Sequence, residues 1–182
     1  MNDTLSLRQK AQRLDVRLSR RMWVAEQPSL LRSLAAVLAH SGDSWFWGLG
    51  LLLVWIFGSA EWGARARWML AAIFVTALAV FAIKLLVRRS RPAGAWGQIY
   101  RKTDPHSFPS GHAARAVMLA VLAFSLGPPW FAAVLCIWAP LVMLARVAMG
   151  VHYLSDVLAG ALLGGGIGLF FGWVMPRLAF LL

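Results

Sequence analysis

Apolar residues along this chain come in long blocks rather than the short stretches of a soluble core. Five runs, at about 44–59, 67–87, 112–127, 130–148 and 155–175, carry few charges. Each predicts a transmembrane helix, an element that needs about 20 apolar residues. Residues 4–26 are patterned differently. Leu7, Leu14, Leu18 and Met22 recur at helical spacing, and Arg8, Lys10, Arg13, Arg17, Arg20 and Arg21 form a basic face. This predicts an amphipathic helix in the headgroup plane, with a solvated basic tail as the plainer alternative. Residues 29–39 are apolar but short and contain Arg32, which predicts a half-buried or interfacial helix; His40-Ser41-Gly42-Asp43 then breaks the chain. Gly127-Pro128-Pro129 separates the third and fourth runs, and 88–111 is the long polar connection. The first 30 residues show no continuous apolar stretch of the kind a cleavable signal needs. The expected fold is therefore an all-α integral-membrane helical bundle. It has five transmembrane helices, or six if 29–39 also crosses. A basic N-terminal segment, 1–33, precedes a transmembrane domain, 34–182.

Composition supports a bilayer as the solvent. Of 182 residues, 60% are hydrophobic and 14% charged, against about 25% charged in soluble domains. The net charge of +11 points to anionic lipid or an anionic substrate. Nucleic acid is excluded as a partner because the basic residues lie between apolar spans rather than on one soluble face. Cys136 is the single cysteine; it can form no intrachain disulfide and reads as a small buried hydrophobe. Gly160, Gly164, Gly168 and Gly172 share one helix face and allow a neighbouring backbone to approach closely. That neighbour could belong to the same chain or to a second copy in a homo-oligomer.

Charged residues in membrane spans are costly and usually functional, and here they gather at span ends. Lys84 and Arg91 flank the end of the second run, His112 and Arg115 open the third, Arg146 ends the fourth, and His152 and Asp156 lead into the fifth. Spans alternate in direction, so both connections, 88–111 and 148–155, emerge on one membrane face. Lys84 and Arg91, seven residues apart, are expected two turns apart on one helix face ended by Pro92. Ser110 suits the N-cap of a helix starting at Gly111, whose free N–H groups would receive an anion, with His112 in the first turn. The four-residue spacing brings the Asp156 carboxylate to the His152 imidazole, where it would orient the ring. Arg115, one turn beyond His112, is a weaker candidate for substrate contact. Arg88, Arg89, Arg101 and Lys102 read as solvated or headgroup-binding, and His40 and His106 as loop histidines. Asp156 reads as the only acid of the cluster. No paired-carboxylate or Cys/His metal set is visible, so neither metal nor cofactor is expected.

Lys84-x6-Arg91-Pro92, Pro109-Ser110-Gly111-His112 and Arg146-x5-His152-x3-Asp156 resemble, in order and spacing, the three signature motifs of the type 2 phosphatidic-acid phosphatase family. The resemblance extends over residues 40–175. It implies a phosphate cradle of Lys84, Arg91 and Arg146 completed by Ser110 and the Gly111 amide. It further implies His152 as nucleophile through a phosphohistidine, Asp156 as its orienting acid, and His112 as the acid that protonates the leaving alcohol and then activates water. Fixed cations would take the place of a metal ion. One position departs from the pattern: Ala145 stands where the family usually has a serine that helps hold the phosphate, a loss of about 0.5–1.5 kcal/mol in hydrogen bonding.

The resemblance implies hydrolysis of a lipid phosphate or diphosphate: a polyprenyl (di)phosphate first, then phosphatidate or phosphatidylglycerophosphate. Size and the Phe108-Pro109-Ser110-Gly111-His112-Ala113 form look bacterial, which implies the inner membrane. Seven Lys and Arg residues among the first 33 favour a cytoplasmic N-terminus. With five spans the active face is then cytoplasmic; with six it is external. Two rival readings are an inactive lipid-phosphate-binding protein, for which Ala145 speaks, and a small lipid transporter using the same cations.

Overall fold

The computed structural model describes residues 6–178 other than Gln27, Ala95 and Gly97. Among these residues the fold consists of eight helices with no strand: α1 Leu7–Arg21, α2 Leu30–Ser41, α3 Ser44–Phe57, α4 Ala60–Val87, α5 Gln98–Thr103, α6 Gly111–Leu126, α7 Pro129–Ala148 and α8 Leu154–Leu178. Three of them, α4, α7 and α8, are long and apolar enough to cross a membrane. Large apolar side chains cover the outside of the bundle, Phe57, Leu86 and Leu162 each being at least 80% exposed. Water would not tolerate that surface, and a bilayer covers it.

The apolar helix α6 forms the centre. Ala113, Ala114, Ala116, Met118, Leu119, Leu122 and Ala123 are almost fully buried against α4, α7 and α8. The glycine face of α8 is what lets α8 lie on α6. A Cβ added at Gly160 would stand 2.4 Å from the Ser110 carbonyl oxygen, and one at Gly164 would stand 1.9 Å from that of Ala114. Further along, Gly168 meets Val121 and Gly172 meets Ser125. The partner of the glycine stripe is therefore in the same chain.

Helix α2 packs along α7, whereas α3 packs chiefly on α4. Ala35 and Ala39 of α2 cluster with Ala145, Met149 and Val151 at the C-terminal end of α7. Trp138 Nε1 donates to Ser41 Oγ at 2.9 Å, and the Trp47 and Trp138 rings lie 4.9 Å apart. Further along, Val54 and Gly58 line one groove together with Trp130 and Phe131 of α7. The break between α2 and α3, Gly42-Asp43, thus falls beside the interior of the bundle.

Three sequence expectations need correction. Helix α4 begins at Ala60 because Arg65 is accommodated within it: the guanidinium lies over Trp62 and pairs with Glu61 and the Leu126 carbonyl. The same helix ends at Val87, capped by Arg88 in the left-handed conformation (φ 50°). Lys84 and Arg91 therefore do not share a helix face. Finally, α1 spans Leu7–Arg21 rather than 4–26. Its leucine face stays outward, with Leu7 85% exposed. It docks through polar groups instead: Leu154 N donates to Ser19 Oγ at 2.8 Å and Ser155 N to Asp15 Oδ1 at 3.0 Å. Helix α1 thereby caps two amides of the first turn of α8, groups that a helix start leaves unsatisfied.

Candidate active site

The end of α4, the starts of α6 and α8 and the end of α7 meet at one end of the bundle. They enclose a cavity of about 310 Å³ lined by Lys84, Arg91, Asp104, Gly111, His112, Arg115, Arg146 and His152, with Thr76, Val80 and Phe81 on its apolar side. Six of the eight residues singled out from the sequence line this cavity, Asp156 faces the lining residue His152, and the eighth, Ser110, is the N-cap of the helix that Gly111 begins. Its hydroxyl accepts from Ala113 N at 3.4 Å. Gly111 keeps the wall thin, since a Cβ there would sit 3.4 Å from Val80 Cγ1.

The loop after α4 carries Arg91 inward. Ser107 N donates to the Arg89 carbonyl at 2.8 Å and Ser107 Oγ to the Ser90 carbonyl at 3.3 Å, which zips the two ends of the loop together. Arg91 then reaches three partners. Nε donates to the Asp104 carbonyl at 2.6 Å, Nη1 to the Val151 carbonyl at 2.9 Å, and Nη2 to Asp104 Oδ2 at 2.7 Å. Its Nη1 also lies 3.1 Å from His152 Nε2. Lys84 Nζ binds the same Asp104 oxygen. A carboxylate thus sits between two of the expected phosphate cations. Burial alone would raise the Asp104 carboxyl, but the Lys84 hydrogen bond and the charges of Lys84 and Arg91 outweigh it and hold it below the usual range.

Arg146 and His152 are almost completely buried. Burial, reinforced by the charges of Arg91, Arg146 and Lys84, pushes the His152 imidazole well below its ordinary 6.5. These surroundings favour the neutral ring. Its Nδ1 faces Asp156 Oδ2 at 3.7 Å, longer than a hydrogen bond. Asp156 is more closely held elsewhere: Arg89 Nη1 donates to Oδ1 at 2.7 Å and Tyr153 N to Oδ2 at 2.9 Å. Arg89 in turn reaches Asp15 Oδ2 at 2.6 Å.

Sequence reasoning missed four participants. Asp156 is not the only acid of the cluster: Asp104 bridges Lys84 and Arg91, Asp43 Oδ1 lies 2.7 Å from His112 Nε2, and Asp15 holds Arg89. Arg89 is a bridge between α1 and α8 rather than a solvated side chain. The acids stand in loops or on the N-terminal helix, outside any motif, and only their proximity to cations could have flagged them. Arg115 lines the cavity but is committed to structure, donating to the Gly42 carbonyl and to Ser44 Oγ. His106 pairs with Ser90 through its backbone, and Arg101 ties the Pro92 and Gly94 carbonyls. Ala145 packs against α2 and does not line the cavity.

A buried cluster of cations around a histidine, at the end of an apolar helical bundle, suits an anionic group carried on a lipid. Family comparison agrees: the model of the PAP2 superfamily matches residues 65–179, and the chain belongs to that superfamily. Similar proteins include the decaprenylphosphoryl-5-phosphoribose phosphatase of Mycobacterium tuberculosis, 33% identical over 150 residues and 80% of each chain. The undecaprenyl-diphosphatase of Sulfolobus acidocaldarius is 31% identical over 78% of this chain and 69% of its own. Among solved structures, the PAP2-type phosphatidylglycerolphosphate phosphatase of Bacillus subtilis superposes with a TM-score of 0.76 at 26% identity, over 92% of this chain and 87% of that one. Aquifex aeolicus LpxE superposes with a TM-score of 0.70 at 27% identity, over 87% and 94%. The chain is a membrane phosphatase acting on lipid phosphates.

Proposed function

We propose that this phosphatase hydrolyses the phosphate or diphosphate of a polyprenyl lipid through a phosphohistidine formed on His152. The observation that carries the reading is the position of His152 Nε2, 3.1 Å from Arg91 Nη1 on the wall of the cationic cavity. That nitrogen faces the place where Lys84, Arg91 and Arg146 would draw a phosphoryl group. In the scheme, Nε2 attacks phosphorus as the bond to the leaving oxygen breaks, and the three cations with the Gly111 amide stabilise the charge on the phosphoryl oxygens. His112 protonates the leaving oxygen; it then takes a proton from water as water displaces the histidine. The scheme assigns no step to a metal ion. Two of the relatives support a polyprenyl substrate by their names, and the apolar cavity wall of Thr76, Val80 and Phe81 suits the tail side of such a lipid.

In the same reading, α2 and α3 form one broken crossing, and α4, α6, α7 and α8 complete five. The basic segment 1–33 and the cavity then share the cytoplasmic side of a bacterial inner membrane, with the leucines of α1 in the headgroup layer and 34–182 as the catalytic domain. External labelling of a cysteine at Gln98, in a Cys136→Ser background, tests this; strong labelling in intact cells contradicts it.

The chemical test is phosphate release from a panel of lipid phosphates, in detergent with EDTA, for wild type and His152→Ala. Acid-labile labelled phosphoprotein trapped in the wild type and absent from the variant is expected. Turnover that persists in His152→Ala, or that EDTA abolishes, overturns the scheme.

A further inference from the structure

The break between α2 and α3 puts one carboxylate where no signature motif supplies one. Asp43 stands at the N-cap of α3, yet its side chain makes no capping bond to that helix. It is turned inward, with Oδ1 2.7 Å from His112 Nε2 and Oδ2 3.1 Å from His40 Nδ1. The Asp43 and His112 side chains are 18% and 16% exposed, whereas His40 is 52% exposed. The carboxylate therefore sits between an inner imidazole on the cavity and an outer one at the protein surface.

The backbone holding Asp43 is fixed to the helix holding His112. Arg115, on α6 one turn after His112, donates through Nε at 3.0 Å and through Nη2 to the Gly42 carbonyl, and through Nη1 to Ser44 Oγ at 2.6 Å. Gly42 lets the two approach: a Cβ there would lie 3.2 Å from His112 Cδ2 and 3.0 Å from Val142 Cγ1. One guanidinium thus sets the register of residues 42–44 against the first turn of α6. This anchoring has a clear consequence for the ring it faces. A carboxylate on one imidazole nitrogen fixes the tautomer, stops rotation of the ring and stabilises the imidazolium.

We propose that Asp43 is the positioning residue of the proton-transfer step, holding His112 by its Nε2–H so that Nδ1 exchanges the proton with substrate. The proposal rests on the reading of His112 as the acid and base of hydrolysis. In the first half-reaction the His112 Nδ1 proton passes to the leaving alkoxide oxygen as its bond to phosphorus breaks and the His152 Nε2–phosphorus bond forms. In the second, Nδ1 takes a proton from water as the water oxygen bonds phosphorus and the phosphorus–nitrogen bond breaks. Asp43 accepts the Nε2–H hydrogen bond throughout and is not itself consumed.

A leaving group that needs no proton separates this role from a merely structural one. The rate of His152 phosphorylation is measured for an alkyl lipid phosphate and for an aryl phosphate of low leaving-group pKa, with wild type, Asp43→Asn and His112→Gln. Asp43→Asn is expected to slow the alkyl substrate by roughly 10²-fold, within the span of general acid catalysis, at nearly unchanged KM, and to slow the aryl substrate far less. His112→Gln is expected to show the same split. A split in His112→Gln but an equal loss on both substrates, or no loss, in Asp43→Asn overturns the proposal alone. No split in His112→Gln overturns the underlying assignment of the acid, and the proposal with it. Asp43→Ser, which keeps an N-cap residue without the charge, is run beside Asp43→Asn and must give the same split, so that a folding failure of one variant does not decide the result.

Discussion

Arg89 Nη1 donates to Asp156 Oδ1 at 2.7 Å, whereas His152 Nδ1 is 3.7 Å from the other oxygen of the same carboxylate. Asp156 is completely buried, and Arg89 is a cation paired directly with it. Removing one member of a buried pair leaves an uncompensated charge and costs about 3 kcal/mol or more. Arg89→Met is expected to lower the melting temperature in detergent markedly and to reduce phosphate release. Arg89→Lys, which keeps the charge but not the fork that spans Asp15 and Asp156, should fall between. A variant as stable as wild type would show that Asp156 draws its compensation from elsewhere.

The glycine face of α8 makes a graded prediction. A Cβ at Gly164 would lie 1.9 Å from the Ala114 carbonyl oxygen, a backbone atom that cannot move aside, whereas one at Gly166 would meet nothing within 4 Å. Gly164→Ala is expected to separate α6 from α8, to destabilise the protein by about 1–3 kcal/mol or more, and to disturb the cavity. Gly166→Ala should be neutral or slightly stabilising, since alanine favours the helix. Thermal melting of the two side by side checks the pair.

Asp104 occupies Lys84 and Arg91 with its carboxylate, and in the proposed scheme an incoming phosphate displaces it. Asp104→Asn is expected to bind inorganic phosphate more tightly, on the order of tenfold, or about 1.4 kcal/mol, seen as a lower inhibition constant. A weaker inhibition would mean that Asp104 serves mainly to aim the two cations.

His152 gives stability a pH dependence of known sign. Its folded-state value lies well below the ordinary 6.5, so as pH falls the unfolded chain takes up this proton first and stability declines below about pH 6.5. Melting of wild type between pH 7.5 and 5.5 should therefore fall more steeply than that of His152→Asn. Parallel slopes would mean that the imidazole is not held neutral by its surroundings.

Much of this was legible in the sequence. The apolar runs gave the helices because lipid leaves a spanning backbone few alternatives, and the cations and histidines were visible as charges at span ends. Lys84 and Arg91 were paired correctly as neighbours but through the wrong geometry, since Arg88 turns the chain before Arg91 is reached. Asp43, Asp104 and Asp15 were not legible. Each acts across 13 or more residues of sequence, from a helix break, a loop or an isolated polar face, where no periodicity marks a side chain as inward. Arg89 looked like any basic residue at a membrane surface until both of its partners were in place.

The capping of α8 by α1 also orders events during synthesis. Ser19 and Leu154 are 135 residues apart, so the ribosome has made nearly every helix before the first one finds its seat. Until then two amides at the head of α8 lack their α1 acceptors, Arg89 lacks Asp15, and the turn bearing His152 has no fixed floor. A nascent chain inserted in the bilayer therefore carries Lys84 and Arg91 before α8 exists and before α1 can cap it.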